Sequence, residues 1–480
     1  MTAKACVLPY RSRAIAPDHT LVVSDSGDHA LLDASEARAL ELDPSALSLD
    51  RLAELKSKFF VGDQAAPGFS RLLASRQAAR RETVLSGPSL HIFVTTLRCT
   101  QSCRYCQVSR ALDSTGFTMS LEDLNAACDT IFQSRSPTLT VEFQGGDPML
   151  RFDLIEHAVE RITNRNRVEG RRIRFVVATT LHHLTDEHCA FFRLHKVYLS
   201  TSLDGPVELH NKNRPLLTRD AYERTIDGLM RARECLGSDS VSALMTTTRD
   251  SLLKPIEIVD EYVRRGFHEI FLRPMSSYGF ARRNEQRIGY ATEEFQSFYS
   301  RAFERILEWN AKGIPVREVT ACVALNKMLS PFDCGFVNLQ TPTGAGLGAL
   351  VYNYDGYVYP SDESRMLAEM GDTTLRLGRI GEPLAQLLRS PVQRSLISAS
   401  LAAYIPGCKD CAYNVYCGPD PIEAHARMGS VHAPVSLTDH CKYHLWLFDY
   451  LFDRLHRDDA FRELAYRWGN PWSSQGGVDA

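Results

Sequence analysis

The stretch "LRCTQSCRYC", residues 97–106, places Cys99, Cys103 and Cys106 in a C-x3-C-x2-C spacing with no fourth cysteine nearby. It follows directly on "HIFVTTL" (91–97), whose β-branched and aromatic residues read as a strand. A structural zinc site wants four ligands in a closed tetrahedron. Three thiolates suffice for a [4Fe–4S] cubane, because each iron takes one protein ligand and the fourth iron stays open to another molecule. Zinc with a distant fourth ligand is the competing reading.

Further strand-like runs lie downstream: "TLTVEFQ" (138–144), "IRFVVATT" (173–180), "VYLSTSL" (197–203), "VSALMTTT" (241–248) and "EIFLRPM" (269–275). Helical patterns separate them, among them "SLEDLNAACDTIF", "DLIEHAVERITNR", "AYERTIDGLMRAREC" and "PIEIVDEYVRRG", the last with Pro255 in its first turn and Gly266 at its end. Strands alternating with helices imply an α/β fold with a parallel sheet and right-handed crossovers. A partial (β/α)6 barrel over residues 86–311 is the expected architecture, with an open doubly wound sheet as the alternative. In either, the cysteine loop sits at the C-terminal ends of the strands, where such folds place their chemistry.

The flanks have a different texture. In residues 1–85, "HTLVVSDSGDHALLD" reads as two short strands and "SLDRLAELKSKFF" as an amphipathic helix capped near Ser48 or Asp50, together a small α+β unit. Past residue 312, "LVYNYDGYVYP" (350–360) carries Asp355-Gly356 between alternating tyrosines, a strong hairpin signal. A cysteine-rich domain built on small metal-stapled elements is expected over 312–445, and a C-terminal helix and tail over 446–480.

Composition narrows the function. Lys and Arg number 55 against 58 Asp and Glu, a net charge of −3, so no global basic field points to nucleic acid. The basic clusters "RQAARR" (76–81) and "RNRVEGRRIR" (165–174) read first as solvated surface, and second as docking sites for an acidic peptide. No apolar run approaches the roughly 18 residues that span a bilayer, and the N-terminus shows no secretory h-region. A cytoplasmic, reducing setting is therefore expected, with the 13 cysteines serving metal or packing rather than disulfides.

A second set, Cys408, Cys411, Cys417 and Cys441, is spaced C-x2-C-x5-C-x23-C. Four thiolates suit zinc or an iron–sulfur cluster on count alone. Cys6, Cys128, Cys189, Cys235, Cys322 and Cys334 read as core thiols.

The trio, with Tyr105 before its last cysteine, resembles the signature of the radical S-adenosylmethionine (SAM) superfamily. "FQGGDP" (143–148) resembles that family's GGEP motif, with Asp147 in place of glutamate, and "STSLDGP" (200–206) resembles its SLDGP segment. The resemblance implies that SAM chelates the open iron and is cleaved reductively to methionine and a 5′-deoxyadenosyl radical. It assigns Gly145, Gly146, Asp147 and Ser202 to cofactor binding, with Thr180 and Thr246 as weaker candidates, and Arg214 in "HNKNRP" (210–215) is a cofactor-binding candidate that would hold a carboxylate.

The second cysteine set resembles the SPASM/twitch-like extension of peptide-modifying maturases such as the anaerobic sulfatase-maturating enzymes, which implies one auxiliary [4Fe–4S] cluster. Many SPASM proteins carry two, but here Thr343, Ser361 and Pro421 stand where cysteines are usual, so the second auxiliary cluster is expected to be missing. Asp362, just past Ser361, matches an aspartate thought to take a proton from the substrate, and is the candidate catalytic residue.

Several segments, including "VTTLRCTQSCRYCQVSR" and "GALVYNYDGYVYPSDESRML", resemble the His-Xaa-Ser-system maturases called HxsB across most of residues 90–440. Implied partners are a precursor peptide or protein of the His-Xaa-Ser repeat type, a second radical SAM maturase, and an electron donor such as flavodoxin or ferredoxin. No nucleic acid and no membrane are implied. The unit at 1–85 lies where related maturases carry a leader-peptide binder. A small-molecule radical SAM enzyme and a non-catalytic iron–sulfur sensor are the rival readings.

Overall fold

Leu90–Thr96 is the strand on which the rest is built: all but its first residue are buried, as a strand covered on both faces requires. A computed structural model describes residues 6–62, 67–111 and 116–470. In it, Leu90–Thr96, Thr138–Gly145, Arg172–Ala178, Val197–Ser202 and Val241–Leu244 lie side by side in chain order, every pair parallel. A doubly wound sheet reverses direction at a switch point. This one winds the same way throughout, so the barrel-like reading is the one realised.

The sixth strand differs from expectation. "EIFLRPM" is extended only at Glu269–Ile270, and these pair in parallel with Arg317–Glu318 in a separate two-stranded sheet. Contact with the fifth strand survives as a bond from the Thr247 N–H to the Arg273 carbonyl (3.0 Å). Pro274 has no N–H to extend a ladder. On the other side of Leu90–Thr96 the sheet continues through Ala349–Tyr352, parallel to it, and then Tyr357–Tyr359 and Gly378–Arg379, both antiparallel. The Asp355-Gly356 hairpin thus forms as read, Gly356 supplying the positive φ (82°) its turn needs. It welds the C-terminal region to the barrel sheet, and Phe93 meets Phe143 and Tyr352 edge-on across the seam.

The helices form where the pattern placed them, at Leu121–Thr130, Phe152–Glu169, Ala221–Leu236 and Pro255–Arg264. Ser120 caps the first by accepting from Asp123 N–H, and Gly170, left-handed at φ 68°, ends the second.

The C-terminal region corrects an expectation. It is not a set of small elements held by metal alone: Tyr413, Tyr416, Tyr443, Phe448 and Phe452 belong to the same buried cluster as the barrel's Phe143 and Val177. Helix Asp439–Arg457 runs unbroken across the expected boundary at 445/446 and carries Cys441. Residues 471–480 of the expected tail lie outside the described residues.

The N-terminal unit is a three-stranded antiparallel sheet, Tyr10–Ala16, His19–Ser24 and His29–Asp33, with helices Ala34–Leu42 and Leu49–Ser57, the latter capped by Ser48. It has a core of its own around Leu32, Leu40 and Phe60. It is also tied down: Arg13 grips Asp449 at 2.5 and 2.6 Å, and Arg11 Nε donates to the Lys409 carbonyl at 2.5 Å. The basic connector is half-exposed, but two of its arginines are tied to the protein. Arg80 donates to the carbonyls of Ser26, Gly27, Lys327 and Ser330, and Arg76 pairs with Asp28. In the other basic cluster Arg165 pairs with Asp129, and Arg171 donates to the carbonyls of Phe132, Ser134 and Ser136.

Candidate active site

At the C-terminal ends of the barrel strands lies a cavity of about 210 Å3. Its walls bring together Cys99, Cys103, Cys106, Gly145, Gly146, Thr180, Ser202, Thr246, Arg214 and Asp362. These residues come from five strand ends and from the C-terminal region, so the topology does the assembling.

The cysteine loop is held by backbone. Gly146 N–H donates to the Thr96 carbonyl (2.8 Å) and Asp147 N–H to the Arg98 carbonyl (2.7 Å). This is why the second strand ends in glycines. A Cβ on Gly145 would stand 1.9 Å from the Thr96 oxygen, and one on Gly146 2.2 Å from the Arg98 oxygen. The pair is required first by the close approach of the cysteine loop, and it also walls the cavity.

Asp147 does not line the cavity. It is fully buried behind the wall, its carboxylate accepting from the hydroxyls of Thr179 (2.8 Å) and Thr180 (2.6 Å) and from Met149 N–H (3.2 Å). It locks the third strand's end to the second. Thr180 lines the cavity, though its hydroxyl proton is committed to Asp147.

Arg214 also differs from expectation: the carboxylate it holds belongs to the protein. Its Nε is 3.3 Å from Asp204, while Nη1 donates to Gln101 Oε1 (3.2 Å) and lies 3.8 Å from Cys103 Sγ. Tyr105 stacks beneath the guanidinium (5.2 Å) and donates to Asp204 (2.7 Å). Burial pushes the Cys103 thiol up to about 11, Arg214 pulling it back, and burial raises Cys99 as well. Such thiols need a metal's charge to ionise. Three thiols on one wall, a guanidinium beside one of them and a glycine-lined floor fit a cluster held by three cysteines.

Sequence reading missed Glu142, Gln144 and Arg273, which share the cavity. The signal was present: alternation in "TLTVEFQ" puts Thr140, Glu142 and Gln144 on one face, polar against the apolar Leu139, Val141 and Phe143. Glu142 accepts from Gln144 (2.8 Å), and its pKa is raised by burial and then by the charge of Asp362. Asp362 opens the helix Asp362–Ala368, and its carboxylate is 2.7 Å from the wholly buried Arg365.

Cys408, Cys411, Cys417 and Cys441 all line a second, smaller cavity of about 50 Å3. A chain of turns shapes the loop, with Cys411 N–H on the Cys408 carbonyl (3.1 Å) and Cys417 N–H on that of Tyr413 (2.9 Å). Cys441 joins from the first turn of its helix, where its N–H reaches the Thr438 cap at 3.2 Å. Four thiols around one cavity, with no three of the described sulfurs close enough together for a single ion, suit a cluster in donor type and count.

Where a further set of ligands would stand, Ser361 caps its helix by accepting from Ser364 N–H (3.3 Å) and Thr343 accepts from Ala345 N–H (3.3 Å). Their neighbours Ala345, Met366 and Ile422 pack into one apolar cluster. Cys128 and Cys189 are buried thiols as expected, Cys235, Cys322 and Cys334 are half-buried, and Cys6 is exposed.

A sheet wound in one direction carries a three-cysteine loop at its C-terminal mouth. Residues 93–271 match the family model of the radical SAM superfamily. The fold is similar to that of anSMEcpe with bound AdoMet, at TM-score 0.64 and 18% identity, over 79% of this chain and 99% of that one. It is also similar to SuiB of Streptococcus suis bound to its precursor peptide SuiA, at TM-score 0.52 and 13% identity, over 88% and 97% of the two chains. An uncharacterized protein of Methanothermobacter thermautotrophicus is 25% identical over 179 residues, which is 37% of this chain and 64% of that protein.

Proposed function

We propose that the protein is a maturase that modifies a ribosomally made peptide or protein precursor, of the His-Xaa-Ser repeat type. The observation that carries the reading is the single cavity uniting the cysteine trio with the strand-end polar groups and with Asp362 from the C-terminal region. Cys99, Cys103 and Cys106 would hold a [4Fe–4S] cluster. When bound with SAM, that cluster supplies a 5′-deoxyadenosyl radical able to abstract hydrogen from a substrate.

The chain's own residues then have separable tasks. Gly145, Gly146, Thr180 and Ser202 line the SAM side, Arg214 balances charge beside Cys103, and Asp362 takes a proton from the substrate side chain. Cys408, Cys411, Cys417 and Cys441 would hold one auxiliary [4Fe–4S] cluster. The division into residues 1–85, 86–311 and the remainder belongs to the same proposal, with the first as the peptide-docking unit.

A peptide substrate is supported by the two similar folds, since anSMEcpe has been crystallised with a Kp18Cys peptide and SuiB with its precursor peptide. Further partners in this reading are a second radical SAM maturase and a flavodoxin or ferredoxin as electron donor. No described helix is long and apolar enough to cross a membrane, and a cytoplasmic setting completes the proposal. Co-expression of a His-Xaa-Ser precursor with this protein or its Cys103→Ala variant tests it by mass spectrometry. A mass change that requires Cys103 is expected, and an unmodified precursor in both cultures would refute the substrate assignment.

A further inference from the structure

Beside the cysteine cavity lies another of about 210 Å3. The two share Arg273 as a wall, and the consecutive residues Asp362 and Glu363 line one each. In this cavity Asp420, Glu423 and His440 each offer one ligand atom, all within 4.8 Å of one another, and Asp420 and His440 also line the cavity of Cys408, Cys411, Cys417 and Cys441. Asp420 caps the helix Pro421–Met428 with Oδ1, which accepts from Ile422 N–H (2.9 Å) and Glu423 N–H (3.0 Å), so Oδ2 remains for the cavity. His440 Nε2 is 2.8 Å from the Gly418 carbonyl. A carbonyl can only accept, so Nε2 carries the proton and Nδ1 the lone pair. Metal-bound imidazoles are commonly oriented by such a contact.

A separate observation points into the same space. Tyr278 is 5% exposed and lines this cavity, yet its hydroxyl has no hydrogen-bond partner among the described residues. The surrounding charge is unbalanced as well. Glu285, Glu363, Asp420, Glu423 and Asp439 line the cavity against Arg273, Arg282 and Arg427; Arg427 reaches Glu423 (2.8 Å) and Asp439, and Lys442 also lies 3.6 Å from Asp439. Half-buried carboxylates in excess and an orphaned hydroxyl are both relieved by a cation.

We propose that Asp420, Glu423 and His440 bind a divalent first-row metal ion, with the Tyr278 hydroxyl as a further donor directly or through a water. Two carboxylates and an imidazole suit Mn2+, Fe2+ or Zn2+, whereas Ca2+ wants six to eight oxygens and soft ions want sulfur. Three protein ligands leave coordination positions open to the cavity. Because Arg273 divides this cavity from the reaction cavity, an oxygen or nitrogen of a bound substrate can complete the coordination sphere and be anchored there.

Mn2+ is the probe, because it avoids thiolates and its free ion gives a six-line paramagnetic resonance spectrum. Titrated into the anaerobically purified full chain, it should lose that signal for one equivalent per chain, and Zn2+ should then release it, being the tighter binder at such ligands. His440→Gln and Glu423→Gln should each weaken binding at least about tenfold, and Tyr278→Phe less. Should one of the two ligand variants lose its native circular dichroism, the other decides. The Cys99→Ala, Cys103→Ala, Cys106→Ala triple variant should bind Mn2+ as the wild type does, so this site does not stand or fall with the radical chemistry. Undiminished free signal at one equivalent, equal binding by the ligand variants, or loss of binding in the triple variant would overturn the assignment.

Discussion

Asp362 is where chemistry and packing make different demands on one side chain. It lines the reaction cavity, and its carboxylate is also the counter-ion of the wholly buried Arg365. Asp362→Asn removes basicity, but it also strands a buried guanidinium, which costs about 3–5 kcal/mol when a buried pair is broken. The informative comparison is therefore Asp362→Asn alone against Asp362→Asn with Arg365→Met. If Asp362 is the proton acceptor, both variants should still cleave SAM and bind precursor while forming little modified peptide, and 5′-deoxyadenosine should accumulate uncoupled from product. Restoration of modification by Arg365→Met would make Asp362 a packing residue. Glu142, its neighbour in the cavity, would then be the next candidate base. The alternation of the second strand made Glu142 legible from the start; the Asp362–Arg365 pair was not, because only the fold shows that Arg365 is buried.

At the level of elements, the helices and the hairpin were legible because caps, Pro255, Gly266 and Asp355-Gly356 are local signals. The junctions between regions were not, since they rest on single long-range contacts such as Arg13 to Asp449 and Tyr416 Oη to the Gly27 carbonyl (2.9 Å). One of these junctions carries a pH dependence. His29, on the third strand of the N-terminal sheet, packs edge-on against Phe452 at 5.0 Å. Burial first, and then the charges of Lys58 and Arg80, lower its pKa from 6.5 to about 4. A depressed folded-state value contributes stability that is complete above 6.5 and is lost as pH falls towards 4. Between pH 7 and pH 5 that loss is about 2 kcal/mol. Urea unfolding at the two pH values should show a loss at least this large in the wild type, since buried His91, His182, His210 and His444 are depressed as well, and His29→Gln should reduce it by about 2 kcal/mol; an equal loss in the variant would remove His29 as a contributor. The second cysteine set makes a different, local demand. Cys408→Ala with Cys411→Ala should speed hydrogen exchange in residues 405–419 and in Tyr10–Ala16, which is docked there through Arg11 on the Lys409 carbonyl. The parallel strands of the barrel, whose ladders do not involve this loop, should exchange as before. Uniform acceleration across the chain would mean the site is a global staple.

For the whole molecule, the question is how many clusters one chain holds, and the sequence and the fold bear on it by different routes. The spacing of the two cysteine sets was readable because thiolate ligands are few and their intervals carry the information. What spacing alone left open was whether other residues rebuild a third site around Thr343, Ser361 and Pro421. In the fold, Ser361 is occupied in capping a helix, Thr343 in a turn, and Ala345, Met366, Leu367 and Ile422 pack as apolar neighbours of these positions. A third cluster would have to displace that packing, and fully burying one such side chain is worth about 1.5–3 kcal/mol. Cys322 and Cys334 stand near each other, and neither lines the cavities of the two cysteine sets among the described residues. Anaerobic reconstitution should therefore give about eight irons and eight sulfides per chain, from two four-iron clusters. With Cys99→Ala, Cys103→Ala and Cys106→Ala together the count should fall to about four of each, and SAM cleavage should vanish while the circular dichroism stays native. A divalent ion at Asp420, Glu423 and His440 adds metal without sulfide, so the sulfide count is the one that discriminates. About twelve sulfides in the wild type would place a third cluster in the chain and overturn the reading of Thr343, Ser361 and Pro421.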